Sequence, residues 1–212
     1  MRFSEKMLTF ATSIIENIQK MKRILYTFIL LLGLLNAAAQ GIPATAVCQD
    51  THYDCAVYIN QERPSANEGE VPAVNSVWWK NLATGELIFV CQTNPNAAAH
   101  WAEMQGREAA AVEVPVTDII AADQAKIAPG NGRQLIIEGC PDGRNLWTYV
   151  FDLDTNIVRQ FPSTEGVVNI DYDKGELILS AYGYDDDGRY NFLNAYTPAG
   201  QFLRCVADKV RD

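Results

Sequence analysis

The sequence predicts a mostly β chain: about three four-stranded antiparallel units in series, with one short helical insert. Three observations carry this expectation. Three stretches, 76–91, 145–161 and 190–205, each place an aromatic-rich strand, a short turn (ATGE, DTNI, PAGQ) and a second apolar strand in the same order. Matching second strands begin at Gln134 and Glu176, a spacing that falls in the period range of propeller blades. Only one segment, beginning at Asn94, carries helix start and stop signals.

The last unit is the most regular. Val167 to Asp171 forms its first strand, YDKG turns into ELILSAY, YDDDGR turns into NFLNAY, and PAG turns into QFLRCVA. The middle unit follows the same plan: a weak strand at 125–128, then PGNGR, QLIIEGC, PDGRN, LWTYVFDL, DTN and IVRQF. In the first unit, 46–49 and CAVYINQ precede the Trp78–Trp79 hairpin. The connection 62–76 carries Pro64, Gly69, Pro72 and three glutamates, a composition that leaves the sheet as a loop. Trp78, Trp79, Trp147, Tyr149 and Phe151 fall in third strands, where alternation buries one set of rings between adjacent sheets. Between the first two units, Asn94 suits an N-cap, Pro95 the first helical position and Gly106 the residue past the end. Ala97, Trp101 and Met104 would then share one face, as in a helix that closes one end of the β core.

The segments IAPGNGRQLIIEG, FDLDTNIVRQF and YTPAGQFLR resemble six-bladed β-propellers of the TolB-like class. In that class a Pro-Asp-Gly turn precedes the second strand and a D-x-x-T turn closes the outer hairpin. The resemblance spans residues 120–205 and, more loosely, 46–91; the first turn here is Pro129-Gly130-Asn131-Gly132. It implies a propeller-like repeat. Three units are fewer than a closed propeller uses. Closure by a second copy that completes a six-sheet ring, another packing of the sheets, and replacement of a blade by the insert are the alternatives.

Residues 21–39 read as a secretory signal peptide. Lys22 and Arg23 precede an apolar run from Ile24 to Leu35, and Ala37 to Ala39 lead to an expected cleavage before Gln40. That run is shorter than the roughly 20 residues a bilayer core needs. Met21 is then the expected start, residues 1–20 lie upstream of it, and 40–212 form one exported domain, secreted or periplasmic, without stable membrane insertion. The full chain carries a net charge of -9; the mature part keeps 12 basic against 24 acidic side chains, or -12. So acidic a surface disfavours nucleic acid and anionic lipid. The five cysteines, Cys48, Cys55, Cys91, Cys140 and Cys205, are expected to form up to two disulfides on export, with Cys48 and Cys55 facing each other across QDTHYD. No cysteine pair has zinc-ligand spacing, and no cofactor is expected.

In a four-strand meander, connections alternate between two sides. One side receives only tight turns. The other receives the 62–76 loop, the 92–118 insert, PDGRN, the STEG link and YDDDGR, and long varied loops on a rigid scaffold are where binding usually resides. The candidate ligand residues there are Arg63, Glu70, His100, Trp101, Glu103, Arg107, Arg144, Tyr184, Asp185 and Arg189. Aromatic rings beside carboxylates and guanidinium groups suit sugars or peptides. The Asp185–Asp187 run lacks the spacing of an EF-hand. No motif of nucleophilic, zinc-peptidase or phosphate-loop chemistry is present.

The expectation is therefore an exported, non-catalytic binding or interaction protein for a glycan, a peptide or an envelope protein. One rival is a glycan-processing hydrolase using Glu103 with Asp185. Another is a structural assembly subunit that pairs through the outer strand at Cys205-Val206.

Overall fold

In the computed structural model, residues 45–64, 73–97, 109–141, 144–162 and 165–211 are described. Among these described residues, thirteen strands make three antiparallel sheets. The first contains β1 (Cys48–Asp50), β2 (Cys55–Arg63), β3 (Val74–Asn81) and β4 (Leu87–Gln92) in chain order. After β5 (Val112–Val114), the middle sheet is built from β6 (Gln124–Ile127), β7 (Gln134–Gly139), β8 (Trp147–Asp152) and β9 (Ile157–Phe161). The last contains β10 (Val167–Asp171), β11 (Glu176–Asp185), β12 (Gly188–Tyr196) and β13 (Phe202–Val210), again in chain order. The described residues thus form a propeller-like repeat of three meanders.

The middle sheet has five strands, one more than expected. β5 adds antiparallel to β9, with Glu113 opposite Arg159 and Val114 opposite Val158. Arg159 donates to the Glu113 carboxylate at 3.0 Å, and Val114 is buried. The addition covers the outer edge of that sheet, a place where unpaired backbone would otherwise invite other strands.

Alternation explains why the middle sheet reads as almost continuously apolar. Leu135, Ile137, Tyr149, Phe151 and Val158 pack with Val57, Val77, Trp79 and Cys91 of the first sheet. Ile136, Val150 and Phe161 point the other way, onto Leu177, Leu179 and Tyr196 of the last sheet. A strand buried on both faces has no polar side to show.

This interior also holds a carboxyl group. Glu138 is fully buried, and its carboxylate accepts from Lys126 Nζ at 2.7 Å, Thr148 Oγ1 at 3.3 Å and the Val167 amide at 2.6 Å. It ties the middle sheet to the start of the last.

The disulfide expectation is corrected. All five cysteines are free thiols. Asp50 pairs with Cys55 across a four-residue turn, so Cys48 stands opposite Val57. The Asp50 carboxylate accepts from the amides of His52 and Tyr53 and fixes this turn, leaving the two cysteines diagonal rather than opposite. The predicted helix begins where a turn is seen: the Asn96 amide donates to Asn94 Oδ1 and the Ala97 amide to the Asn94 carbonyl. The remainder of that helix lies outside the described residues, as does the segment read as a signal peptide. Among the described residues no helix is long and apolar enough to cross a membrane.

Candidate functional site

The acid-rich segment expected as a loop is mostly sheet. β11 and β12 stay paired out to Asp185 opposite Gly188, which leaves a two-residue turn at Asp186 and Asp187. Gly188 has φ of +108°, a conformation that suits glycine at a tight turn. The hairpin carries a different set of side chains on each face.

One face holds Tyr182, Tyr184 and Arg189. The Arg189 guanidinium lies 4.4 Å from the centre of the Tyr182 ring and pairs with the Glu165 carboxylate. Glu165 also accepts from Ser180 Oγ at 2.9 Å, and Tyr182 Oη donates to Asn145 Oδ1 at 3.3 Å. Tyr184 meets Tyr182 edge-on at 5.8 Å and remains 71% exposed. Arg144, beside Asn145, is exposed at the same end of the sheets.

The other end of Asp185 is occupied by cations. Arg211 donates at 2.6 Å and Lys209 at 3.0 Å, and the Arg211 hydrogen bond, followed by that of Lys209, holds the carboxyl down at about 2. A carboxyl so held stays ionised near neutral pH.

A concavity lies along β4. It is an open groove of about 710 Å³, and its lining includes Arg63, Phe89, Gln92, Asn94, Asn96 and Thr117. The Asn94 amide donates to the Ile119 carbonyl at 2.8 Å, and the Asn75 amide donates to Thr93 Oγ1 at 2.9 Å, so the wall is anchored on both sides. Its described lining holds amides, hydroxyls, one guanidinium and apolar groups, and no carboxylate. Such a surface can donate and accept hydrogen bonds and stack against a ring.

The sequence candidates are therefore divided. Arg63 ends β2 and lines the groove, whereas Arg144, Tyr184, Asp185 and Arg189 belong to the middle and last sheets. Glu70, His100, Trp101, Glu103 and Arg107 lie outside the described residues. Sequence reasoning missed Phe89, Gln92, Asn94, Asn96 and Thr117. Phe89 sits in the unbroken apolar run LIFVC, which hides the direction of its ring, and the sequence around Asn94 reads only as a helix cap. Glu165 and Tyr182 were missed because their partners come from a different strand or connection.

No family model and no curated protein matches the chain. Among solved structures it is similar to the β-propeller domain of the Trilobed protease from Pyrococcus furiosus, described as having an open velcro topology. The two are 11% identical with a TM-score of 0.33, over 80% of this chain, and this chain spans 57% of the other's length.

Proposed function

We propose that this is an exported, non-catalytic binding protein that takes a carbohydrate in the groove along β4. The observation that carries the proposal is the chemistry of the lining: Phe89 offers a ring face, while Gln92, Asn94, Asn96, Thr117 and Arg63 offer donors and acceptors, with no carboxylate among the described lining residues. Sugars are recognised by this combination of stacking and neutral hydrogen bonds. The acidic charge of the chain favours neutral sugars over anionic ones. Calorimetric titration of the full chain with neutral monosaccharides should show saturable binding that Asn96→Ala and Arg63→Ala each weaken about tenfold, the loss of one or two hydrogen bonds. Binding unchanged in both variants, or cleavage of an oligosaccharide during the titration, would reject the reading.

The exposed ring of Tyr184, held beside the Tyr182–Arg189–Glu165 cluster, favours a second reading, a peptide or envelope-protein contact at that hairpin. Tyr184→Ala should then abolish capture of such a partner while sparing sugar binding.

A further inference from the structure

Three aromatic residues stand in one row across the face of the first sheet that points away from the middle sheet. Tyr58 is directly opposite Trp78 in the β2–β3 register, and Trp78 is directly opposite Phe89 in the β3–β4 register. Opposite residues in antiparallel strands share a face, so the row runs perpendicular to the strands over roughly 10 Å, two strand spacings. Trp78 and Phe89 meet edge to face at 5.0 Å with 68° between their planes. Phe89 is 51% exposed, and Tyr58 and Trp78 are half-buried. Trp79, on the opposite face, is buried against the middle sheet, so this row contributes nothing to that core.

Beside the row, on the same face, runs a chain of polar groups. Trp78 Nε1 donates to Ser76 Oγ at 3.2 Å, Ser76 Oγ donates to Glu62 Oε1 at 2.6 Å, and Asn60 Nδ2 donates to the same oxygen at 3.0 Å. Asn60 is opposite Ser76 in the register, one step along from the Tyr58–Trp78 pair. An aromatic row flanked by hydroxyl, amide and carboxylate groups matches a molecule whose faces are apolar and whose edges are hydroxylated. Phe89 also lines the groove, so the row and the groove are continuous.

We infer that the row is an extended subsite for a linear neutral oligosaccharide, one end of which enters the groove while consecutive sugar rings cross Phe89, Trp78 and Tyr58. The inference deepens the groove reading by assigning it a chain rather than a single sugar. Charge separates this occupant from the others. A second copy laid face to face would bring Glu62 against an equally acidic chain, and an anionic glycan would meet the same carboxylate, whereas a neutral chain meets neither penalty. The inclination between the Trp78 and Phe89 rings suits a chain whose sugar rings turn from one to the next.

Calorimetry on the full chain with glucose, maltohexaose and cellohexaose tests this. At least one hexasaccharide should bind about tenfold or more tighter than glucose, since further sugar rings stack on the row. Trp78→Ala should remove that gain and leave glucose binding unchanged, and Phe89→Ala should weaken both. Tyr58→Ala, which leaves the Trp78 and Phe89 side chains in place, should lower the gain by a smaller factor and serves if Trp78→Ala does not fold. Equal affinity for glucose and both hexasaccharides, or a gain that survives Trp78→Ala and Tyr58→Ala, overturns the inference. So does a light-scattering mass that falls from two copies to one in Trp78→Ala, which would make the row an interface between copies. A hexasaccharide that binds through Trp78 while Arg63→Ala and Asn96→Ala have no effect would keep the row and reject the groove. No binding by any of the three sugars rejects both.

Discussion

Tyr53 fills the space that a side chain on Gly132 would need. A Cβ added to Gly132 would stand 2.5 Å from Tyr53 Cβ, and Gly132 has φ of +76°. The same turn is keyed to the first sheet by hydrogen bonds. Tyr53 Oη accepts from the Gly130 amide at 3.1 Å, and Trp79 Nε1 donates to the Gly132 carbonyl at 3.0 Å. Gly132→Ala should therefore cost about 2–4 kcal/mol, combining left-handed backbone strain with displacement of a ring. Gly85, also in the left-handed region at φ +77° but with nothing within 4 Å of an added Cβ, is the control, at about 1–2 kcal/mol. Equal losses for the two variants in urea unfolding would mean that the contact between the sheets contributes little.

Asp185 should titrate far below an ordinary aspartate. Its carboxyl lies at about 2 against a reference of 3.8, held there by Arg211 first and Lys209 second. A carboxyl depressed in the folded state stabilises the fold above the unfolded value, and that contribution is lost as pH falls from about 4 toward 2. Carbon-detected NMR titration should place the Asp185 midpoint near 2 and move it upward in Arg211→Ala and further in the double variant with Lys209→Ala. A midpoint that ignores both substitutions would show that the ion pairs do not form in solution.

Much of the sheet architecture was legible because its signals are local. Turns such as Asp154–Asn156 and Pro198–Gly200 punctuate strands whose side chains alternate, and Ile136 and Ile137 can only point to opposite faces. What escaped depends on pairs far apart in sequence. The three-residue β5 is too short to announce itself, and it becomes a strand by pairing with β9, where Glu113 stands opposite Arg159, 46 residues later. The Cys48 position depends on one turn's register, and the fate of Asp185 on a strand that ends 25 residues later at Val210. The direction of Phe89 follows from a bulge between the Val77–Cys91 and Trp78–Phe89 pairs, which alternation within one strand does not reveal.

The thiols should separate by accessibility. Cys205 is exposed on β13, whereas burial pushes Cys91 up to about 12 and raises Cys48 and Cys55. Because the thiolate is the reactive form, iodoacetamide at pH 8 should modify Cys205 first and Cys91 last in the folded protein. Peptide mass spectrometry over a time course reads the order directly. Cys91 labelled as fast as Cys205 would contradict its burial, and a Cys48–Cys55 disulfide in freshly purified protein would contradict the β1–β2 register.

β13 bears on the assembly rival as well. Its pairing with β12 shifts register at three places, and Leu203 and Val206 are exposed along it. Bulges of this kind twist an edge away from further pairing. Val206→Lys should therefore leave the solution mass by light scattering unchanged. A change in mass would restore the edge as an assembly surface.

Adjacent tryptophans provide the sharpest contrast between scaffold and surface. Trp79 is 2% exposed and packs in the first core, and Trp147 at 6% lies in the same cluster. Replacing either by Ala should cost roughly 3–5 kcal/mol, as loss of a large buried ring does. Trp78 projects from the opposite face, where its ring meets only part of its surface against Phe89, and Trp78→Ala should cost about 1 kcal/mol, the scale of one aromatic pair. Chemical denaturation of the three variants measures this. If Trp78→Ala proved as costly as Trp79→Ala, its ring would be part of the packed core and unavailable to a ligand; a small loss confined to Trp78 leaves the Tyr58–Trp78–Phe89 row free to bind one.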